Sequence, residues 1–437
     1  MNRVNEEHLL KALVGSRCGV IRFAWEPVAH PADPPVSLFG CQTCLPASLA
    51  TQLPPQNAGG AGLDRKEAVL AAIGEAAERY ASAAAYLLHR SDLVSASWEE
   101  LGETAVHPGE FALYHPRQTN RRGFPFAPFT ERTRVRWTRV TEAIHGKERW
   151  YPAALVYLPY PLGEREVPIA PQVSTGLSCH SSPPVSLIRG LCEVVERDAF
   201  VIAWRNRLSP PHFSLEGRSN LRLRKAIREF YSLPDLRVHL LNLTPDSGLP
   251  VVAAILLDSR GPRLFNLGAA CHPVAERAAL KALLEAAQGR PYVRTLIERD
   301  AAWNPGSRFS NVRDFADHAR LYTSRPALVR KIRFFWKNES ASNAVDLATE
   351  EKEATWKSCV RAVHRTGARV YVKHLTPPDL ADVGLYINRI LIPSYQPIGA
   401  GNPFYGGKRI LSARRVFPFA GRDRSPDEFF QMPHPYP

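Results

Sequence analysis

The chain predicts a mixed α/β (α+β) fold, a single large unit in which helices pack on more than one sheet. Three features carry that prediction. Strong amphipathic helix signatures occur at three widely separated places, β-branched segments fall between them, and no low-complexity linker or short-period repeat divides the chain. With 437 residues, 45% of them apolar, there is enough material for a sizeable core.

Residues 1–60 are rich in Pro, Gly and small polar residues. Their one strand-like run is Val20-Ile21-Arg22-Phe23-Ala24-Trp25, so they are expected to pack as an edge segment on the main domain, 61–437. The first helix signature opens at Asp64, an N-cap type with Glu67 three positions later, and carries Val69, Ile73, Ala76 and Tyr80 on one face to about residue 89. The second opens at Pro183-Pro184, where proline is tolerated, and runs through Leu187, Leu191, Val194 and Val195 to about residue 204. The third begins near Pro273, passes Leu280 and Leu284, and is expected to stop at Gln288 because Gly289 can end it. Strands are expected over 251–257, 370–372 and 386–393.

The composition excludes several function classes. The longest aliphatic run, 251–257, is far short of the roughly 20 residues a bilayer span needs, and the first residues contain no apolar signal core, so a cytoplasmic protein is expected. The net charge is +14, from 56 basic against 42 acidic residues, but the arginines are scattered rather than clustered, which makes nucleic acid an unlikely partner. Seven cysteines, an odd number, argue against a disulfide framework. Cys41-Gln-Thr-Cys44 has metal-ligand spacing but no second pair follows it, so no metal is assigned there.

The informative pattern is acidic and recurs on all three helices: Glu75-Ala-Ala-Glu78-Arg79, Glu193-Val-Val-Glu196-Arg197, and Glu285-Ala-Ala-Gln288-Gly-Arg290. Residues three apart on a helix share a face, so each helix presents two oxygen-bearing side chains together. One account is a pair of ordinary i,i+4 salt bridges, Glu75 to Arg79 and Glu193 to Arg197. The other is a divalent cation that relieves the Glu/Glu repulsion. Mg²⁺ prefers carboxylate oxygens and bridges nucleotide phosphates, which points to ATP. No P-loop or dinucleotide fingerprint competes: Gly401 to Lys408 is one residue out of phase, and Gly59-Gly60-Ala61-Gly62 lacks the required context.

The two ExxER helices, the segment Ser174-Thr175-Gly176 before the second, the Glu285-x-x-Gln288-x-Arg290 helix and the terminal Pro433-His434-Pro435-Tyr436-Pro437 together resemble the YcaO family, in particular its azoline-forming cyclodehydratases. The resemblance covers about residue 13 to 437. It implies an ATP- and Mg²⁺-dependent enzyme that forms thiazoline or oxazoline rings from Cys, Ser or Thr of a ribosomally made precursor peptide, phosphorylating the backbone amide oxygen so that it can leave. By the same resemblance Glu75, Glu78, Glu193 and Glu196 would be Mg²⁺ ligands, with Arg79, Arg197, Glu285, Gln288 and Arg290 around the nucleotide. Lys281, one turn before Glu285, would add positive charge near the phosphates or serve as a solvated helix lysine. Two positions depart from the family pattern: Ala61 stands where a lysine is usual, and Ala71 where a serine is usual.

Prolines 433, 435 and 437 restrict φ and favour an extended tail able to reach roughly 15 Å. The resemblance implies that such a tail is catalytic, with the Pro437 carboxylate as proton acceptor. It also implies partners: the precursor peptide, a ThiF-like protein that binds its leader, and a flavin-dependent azoline dehydrogenase. A homodimer within the complex is the default expectation. A catalytically weakened scaffold subunit is the alternative that Ala61 and Ala71 favour.

Overall fold

The computed structural model describes residues 5–17, 19–44, 56–215, 220–260, 264–338, 340–342 and 354–436. In chain order, α1 (Glu6–Leu13), β1 (Ile21–Trp25), β2 (Ser37–Thr43) and β3 (Gln56–Gly62) precede α2 (Arg65–His89). Strands β4 (Val94–Ala96), β5 (Val135–Glu142), β6 (Glu148–Pro152) and β7 (Leu177–His180) lead to α3 (Pro183–Arg205). Then come β8 (His212–Phe213), β9 (Leu236–Asn242), β10 (Val251–Asp258), β11 (Phe265–Cys271) and α4 (Ala275–Arg299). Next come α5 (Phe315–Ser324), β12 (Ala341–Ser342), α6 (Trp356–His364), β13 (Tyr371–His374) and β14 (Tyr386–Leu391), followed by short helical turns.

These strands build a mixed α/β fold of three sheets. One is β1-β2-β3, the second is β11-β10-β9-β8-β12 with its last pair parallel, and the third is β4-β5-β13-β14-β7 with β6 added beside β5. Helix α2 lies between the first and third sheets, α3 between the second and third, and α4 on the outer face of the second sheet, also touching β3. Strand β10 shows why 251–257 reads as an unbroken apolar run: Val251, Ala253 and Ile255 join the core around α3, while Val252, Ala254 and Leu256 join the core under α4. Both of its faces are covered, so no alternation is required.

The helix starts follow the local chemistry. The Asp64 carboxylate accepts the Glu67 N–H at 2.8 Å, satisfying an end group of α2, and α3 opens on Pro183 and Pro184. The third helix differs from its expected end: α4 runs through Gly289 and Pro291 to Arg299. Tertiary burial overrides the local stop signal, because Arg290 and Val293 beyond it are fully buried and Arg290 donates to Asp33 at 2.6 Å and Asp258 at 2.8 Å. Proline costs the helix one N–H donor, and those contacts offset it.

Small residues set how near each helix comes to its strand. A Cβ on Gly60 would meet the Ala68 carbonyl at 2.2 Å, and one on Gly268 would meet the Ala282 carbonyl at 2.5 Å. Gly176, just before β7, has φ +85, and a Cβ there would fall 2.1 Å from the Ile390 carbonyl oxygen. Gly367 also has a positive φ, +84, but open space around it. Urea denaturation should therefore show Gly176→Ala costing about 3 kcal/mol or more, and Gly367→Ala only about 1 kcal/mol. Equal costs at the two sites would refute the close-packing argument.

Candidate active site

The close approach of helix to strand lets short glutamate side chains reach strand N–H groups, and they do so in a closed circuit. Glu75 accepts from Gly59 of β3 at 2.9 Å, and Glu78 reaches across to Cys179 of β7 at 2.8 Å. Glu193 accepts from Gly176 beside β7 at 3.2 Å, and Glu196 reaches Cys271 of β11, also at 3.2 Å. Glu285 accepts from Ala269 of β11 at 3.0 Å. Gln288 closes the circuit against β3, where a Cβ on Gly59 would lie 2.5 Å from its amide nitrogen. Each helix thus uses one side chain on its own preceding strand and another on the next strand around.

Five carboxylates converge in this way, and burial sets their charge. Burial, with Glu193 and Glu75 nearby, pushes Glu78 up to about 8. Burial likewise pushes Glu196 up to about 8, with Glu285 and Glu193 adding to the rise and Arg197 opposing it. Glu285 is raised in the same sense. The i,i+4 salt bridges exist as well: Arg79 lies 3.2 Å from Glu75, and Arg197 lies 3.6 Å from Glu193 and 3.4 Å from Glu196. Both accounts of the sequence pattern therefore hold in the same helices.

The tail enters the cluster as a buried plug. Trp204 donates to the Met432 carbonyl at 3.1 Å, Tyr322 to Pro433 at 2.6 Å, and His318 bonds the His434 carbonyl at 2.8 Å. Tyr436 is fully buried, its hydroxyl 2.6 Å from Glu196 and 3.2 Å from Glu285, its ring 4.1 Å from the Arg197 guanidinium. A phenol has one hydrogen. Glu196 receives it at the shorter distance, and burial raises the Glu285 carboxyl beside it.

The structure brings together Glu75, Glu78, Glu193, Glu196, Glu285, Arg79 and Arg197, with Gln288 at the edge and the exposed Lys281 near enough to stabilise the Glu285 carboxylate. It does not bring Arg290 there; that residue is the buried hub of the pairs with Asp33 and Asp258. Pro433 and Pro435 are buried in the plug, and Pro437 lies outside the described residues. Cys41 sits buried in β2, its thiol pushed up to about 12 by burial and by Glu75. Ala71 is exposed on α2 and Ala61 is in β3.

Two residues escaped the sequence analysis. Tyr436 was legible only as a spacer between prolines. Arg389 of β14 is buried, donates to the Val173 carbonyl at 2.7 Å, and lies within electrostatic range of Glu193 and Glu78. Its signal was a lone charge inside an apolar strand, Ile387-Asn388-Arg389-Ile390, which demands buried partners.

The family model described as "YcaO cyclodehydratase, ATP- and Mg²⁺-binding" matches residues 59–396. The chain belongs to the YcaO family. A Methanothermobacter thermautotrophicus protein described as uncharacterized is 25% identical over 291 residues, 64% of this chain and 70% of that one. A solved heterocyclase in complex with substrate and cofactor matches with a TM-score of 0.74 at 20% identity, over 99% of this chain and 57% of that one. YcaO from Methanopyrus kandleri, bound with AMPPCP and Mg²⁺, matches with a TM-score of 0.57 at 20% identity, over 97% and 92%. This YcaO chain spans little more than half the heterocyclase's length. Identities this low establish the shared fold. The family model describes its members as cyclodehydratases that bind ATP and Mg²⁺.

The residues present fit that pair. The convergent glutamates offer hard oxygen donors, mutually repelling, with Arg79 and Arg197 beside them. Among the described residues, no group of three His, Cys, Asp or Glu side chains forms a cage for one ion. Mg²⁺ is usually held by one or two carboxylates together with substrate phosphates and water. Among the described residues, no helix is long and apolar enough to cross a membrane.

The plug carries a pH dependence of its own. Burial, against the bond to the His434 carbonyl, lowers His318 from 6.5 to about 4, and burial with His318 and Arg205 nearby lowers His434 well below its usual range. Both rings, 4.1 Å apart, are neutral in the folded chain. A folded value below the unfolded one means full stabilisation above about 6.5 that is lost as the pH falls towards 4. The melting temperature should fall over that window, with a red shift of Trp204 emission as the tail leaves; a flat profile contradicts this origin.

Proposed function

We propose that this YcaO chain forms azoline rings from Cys, Ser or Thr residues of a ribosomally made precursor peptide, activating the backbone amide oxygen by phosphorylation. The observation that carries the proposal is the three-helix carboxylate circuit with Tyr436 of the tail seated inside it. An amide oxygen is a poor leaving group in water, and ATP would supply the phosphoryl group that makes it a good one.

The protein's part is positioning and charge. Glu75, Glu78, Glu193 and Glu196 would hold Mg²⁺, each already oriented by a strand N–H so that little freedom is lost on binding. Arg79, Arg197, Lys281, Glu285 and Gln288 would surround the nucleotide. Tyr436 keeps a proton between Glu196 and Glu285 and blocks water from that side of the cluster. In this proposal Pro433 and Pro435 fix the path of the tail, and Pro437, the residue after Tyr436, takes up the proton released by the attacking side chain.

We further propose that a separate ThiF-like protein presents the precursor through its leader. The described residues before α2 form a short helix and a three-stranded sheet packed on the core. A flavin-dependent dehydrogenase acting on the product, and a homodimeric assembly, belong to the same proposal. The scaffold alternative rests on Ala71 and Ala61, which place methyl groups where the family pattern has polar side chains.

Mass spectrometry of a precursor incubated with the chain, its partner and Mg·ATP decides between them. Cyclodehydration removes one water mass per modified residue. Glu193→Ala should slow that loss at least about 100-fold, equivalent to roughly 2.7 kcal/mol of barrier, and removal of Tyr436 and Pro437 should do the same. Complex formation with no mass change would instead identify a scaffold.

A further inference from the structure

Beyond the carboxylate cluster, a cleft of about 560 Å³ opens beside the C-terminal end of α3, lined by Arg207, Leu208, Ser209, Asn338, Phe419, Gly421, Arg422 and Arg424. Three of these are arginines, and they differ in how their charge is met. Arg422 pairs with Glu428 at 2.6 Å. Among the described residues, no carboxylate pairs with Arg207 or Arg424; Arg424 donates only to the Asn206 carbonyl, at 2.8 Å.

Arg207 is also held in a conformation that arginine disfavours. Helix α3 ends in a Schellman-type turn, with Leu208 N–H bonded to the Ala203 carbonyl and Arg207 N–H to the Trp204 carbonyl. The residue at the left-handed position of such a turn is usually glycine, yet here it is Arg207, with φ 52. Its guanidinium lies over the rings of Phe334 and Phe430, at 5.4 and 5.7 Å, so the strained backbone delivers an oriented, exposed cation to the cleft. Strain of this kind is retained where a side chain's position matters more than its backbone cost.

We propose that this cleft binds an acidic segment of the peptide substrate, its carboxylates paired with Arg207 and Arg424. The proposal rests on the peptide-modifying function above, and it adds a specificity rule. Glu196 lies nine residues before Arg205, the last residue of α3, which is roughly 14 Å at 1.5 Å per residue, and Arg207 stands two residues further on in the turn. An extended peptide covers that span in about five residues at 3.3 Å each. The cleft therefore selects substrates whose acidic residues stand at least about five positions from the residue modified, because the C-terminal half of α3 is buried and a peptide must pass around it, and the guanidinium fork suits carboxylates in particular.

The test uses the full chain without ATP and two fluorescein-labelled peptides, one with four glutamates placed five residues from a cysteine and one with glutamines in their place. Fluorescence anisotropy at low salt should show the acidic peptide binding at least about tenfold more tightly. Arg207→Gly relieves the backbone strain while removing the charge; it and Arg424→Gln should each erase most of that preference, with Mg·ATP binding by calorimetry unchanged. If Arg207→Gly does not fold, Arg424→Gln decides alone. An unchanged preference in the variants, no preference in the native chain, or equal competition by a single-stranded DNA of the same charge would overturn the inference. Intact acidic-peptide selectivity with no cyclodehydration would overturn the proposed function and leave the cleft standing.

Discussion

The architecture depends on carboxylates accepting backbone N–H bonds across helix-to-strand contacts. Each bond satisfies a strand donor that would otherwise be buried without a partner, and each fixes one oxygen of a glutamate while leaving the side chain's charge inside the molecule. Because each contacting helix reaches both its own strand and the next, the three βα units close on themselves. Neither a helix nor a sheet can shift without breaking a charged hydrogen bond, which is stronger than a neutral one.

That closure has an electrostatic consequence. Carboxylates drawn together by backbone bonds raise one another's proton affinity, and the molecule answers with Arg79, Arg197, Arg389 and the Tyr436 hydroxyl. A site built this way is destabilised when empty of compensating charge, and Mg²⁺ with a polyphosphate is the compensation its oxygen donors suit. The tail belongs to the same balance. Its carbonyls are met by Trp204, Tyr322 and His318, so the backbone can be buried without orphaned groups, and Tyr436 can then occupy the acidic centre.

Much of this was legible in the residues. The caps and apolar faces of α2 and α3 marked their bounds to within a residue or so, since Asp64 and Pro183 act locally. The end of α4 was not legible, because Gly289 and Pro291 are local stop signals while Arg290's partners, Asp33 and Asp258, are distant in sequence. The glutamate pairs were visible as a recurring pattern, yet the circuit they form was not. The spacings from Glu75 to Glu193 to Glu285 are long and unequal, so no sequence period records the threefold arrangement.

By itself the sequence determined which residues could carry oxygen-ligand chemistry, on which helices, and what family they resemble, because helix periodicity and side-chain chemistry are local properties. Only the tertiary structure decided which of them meet. It joined Glu78 to the strand of the second unit and Glu196 to that of the third, sent Arg290 to a buried ion pair elsewhere, and made Tyr436 part of the centre. Those outcomes depend on how closely backbones approach at Gly60, Gly176 and Gly268, which is a property of packed surfaces rather than of any one segment.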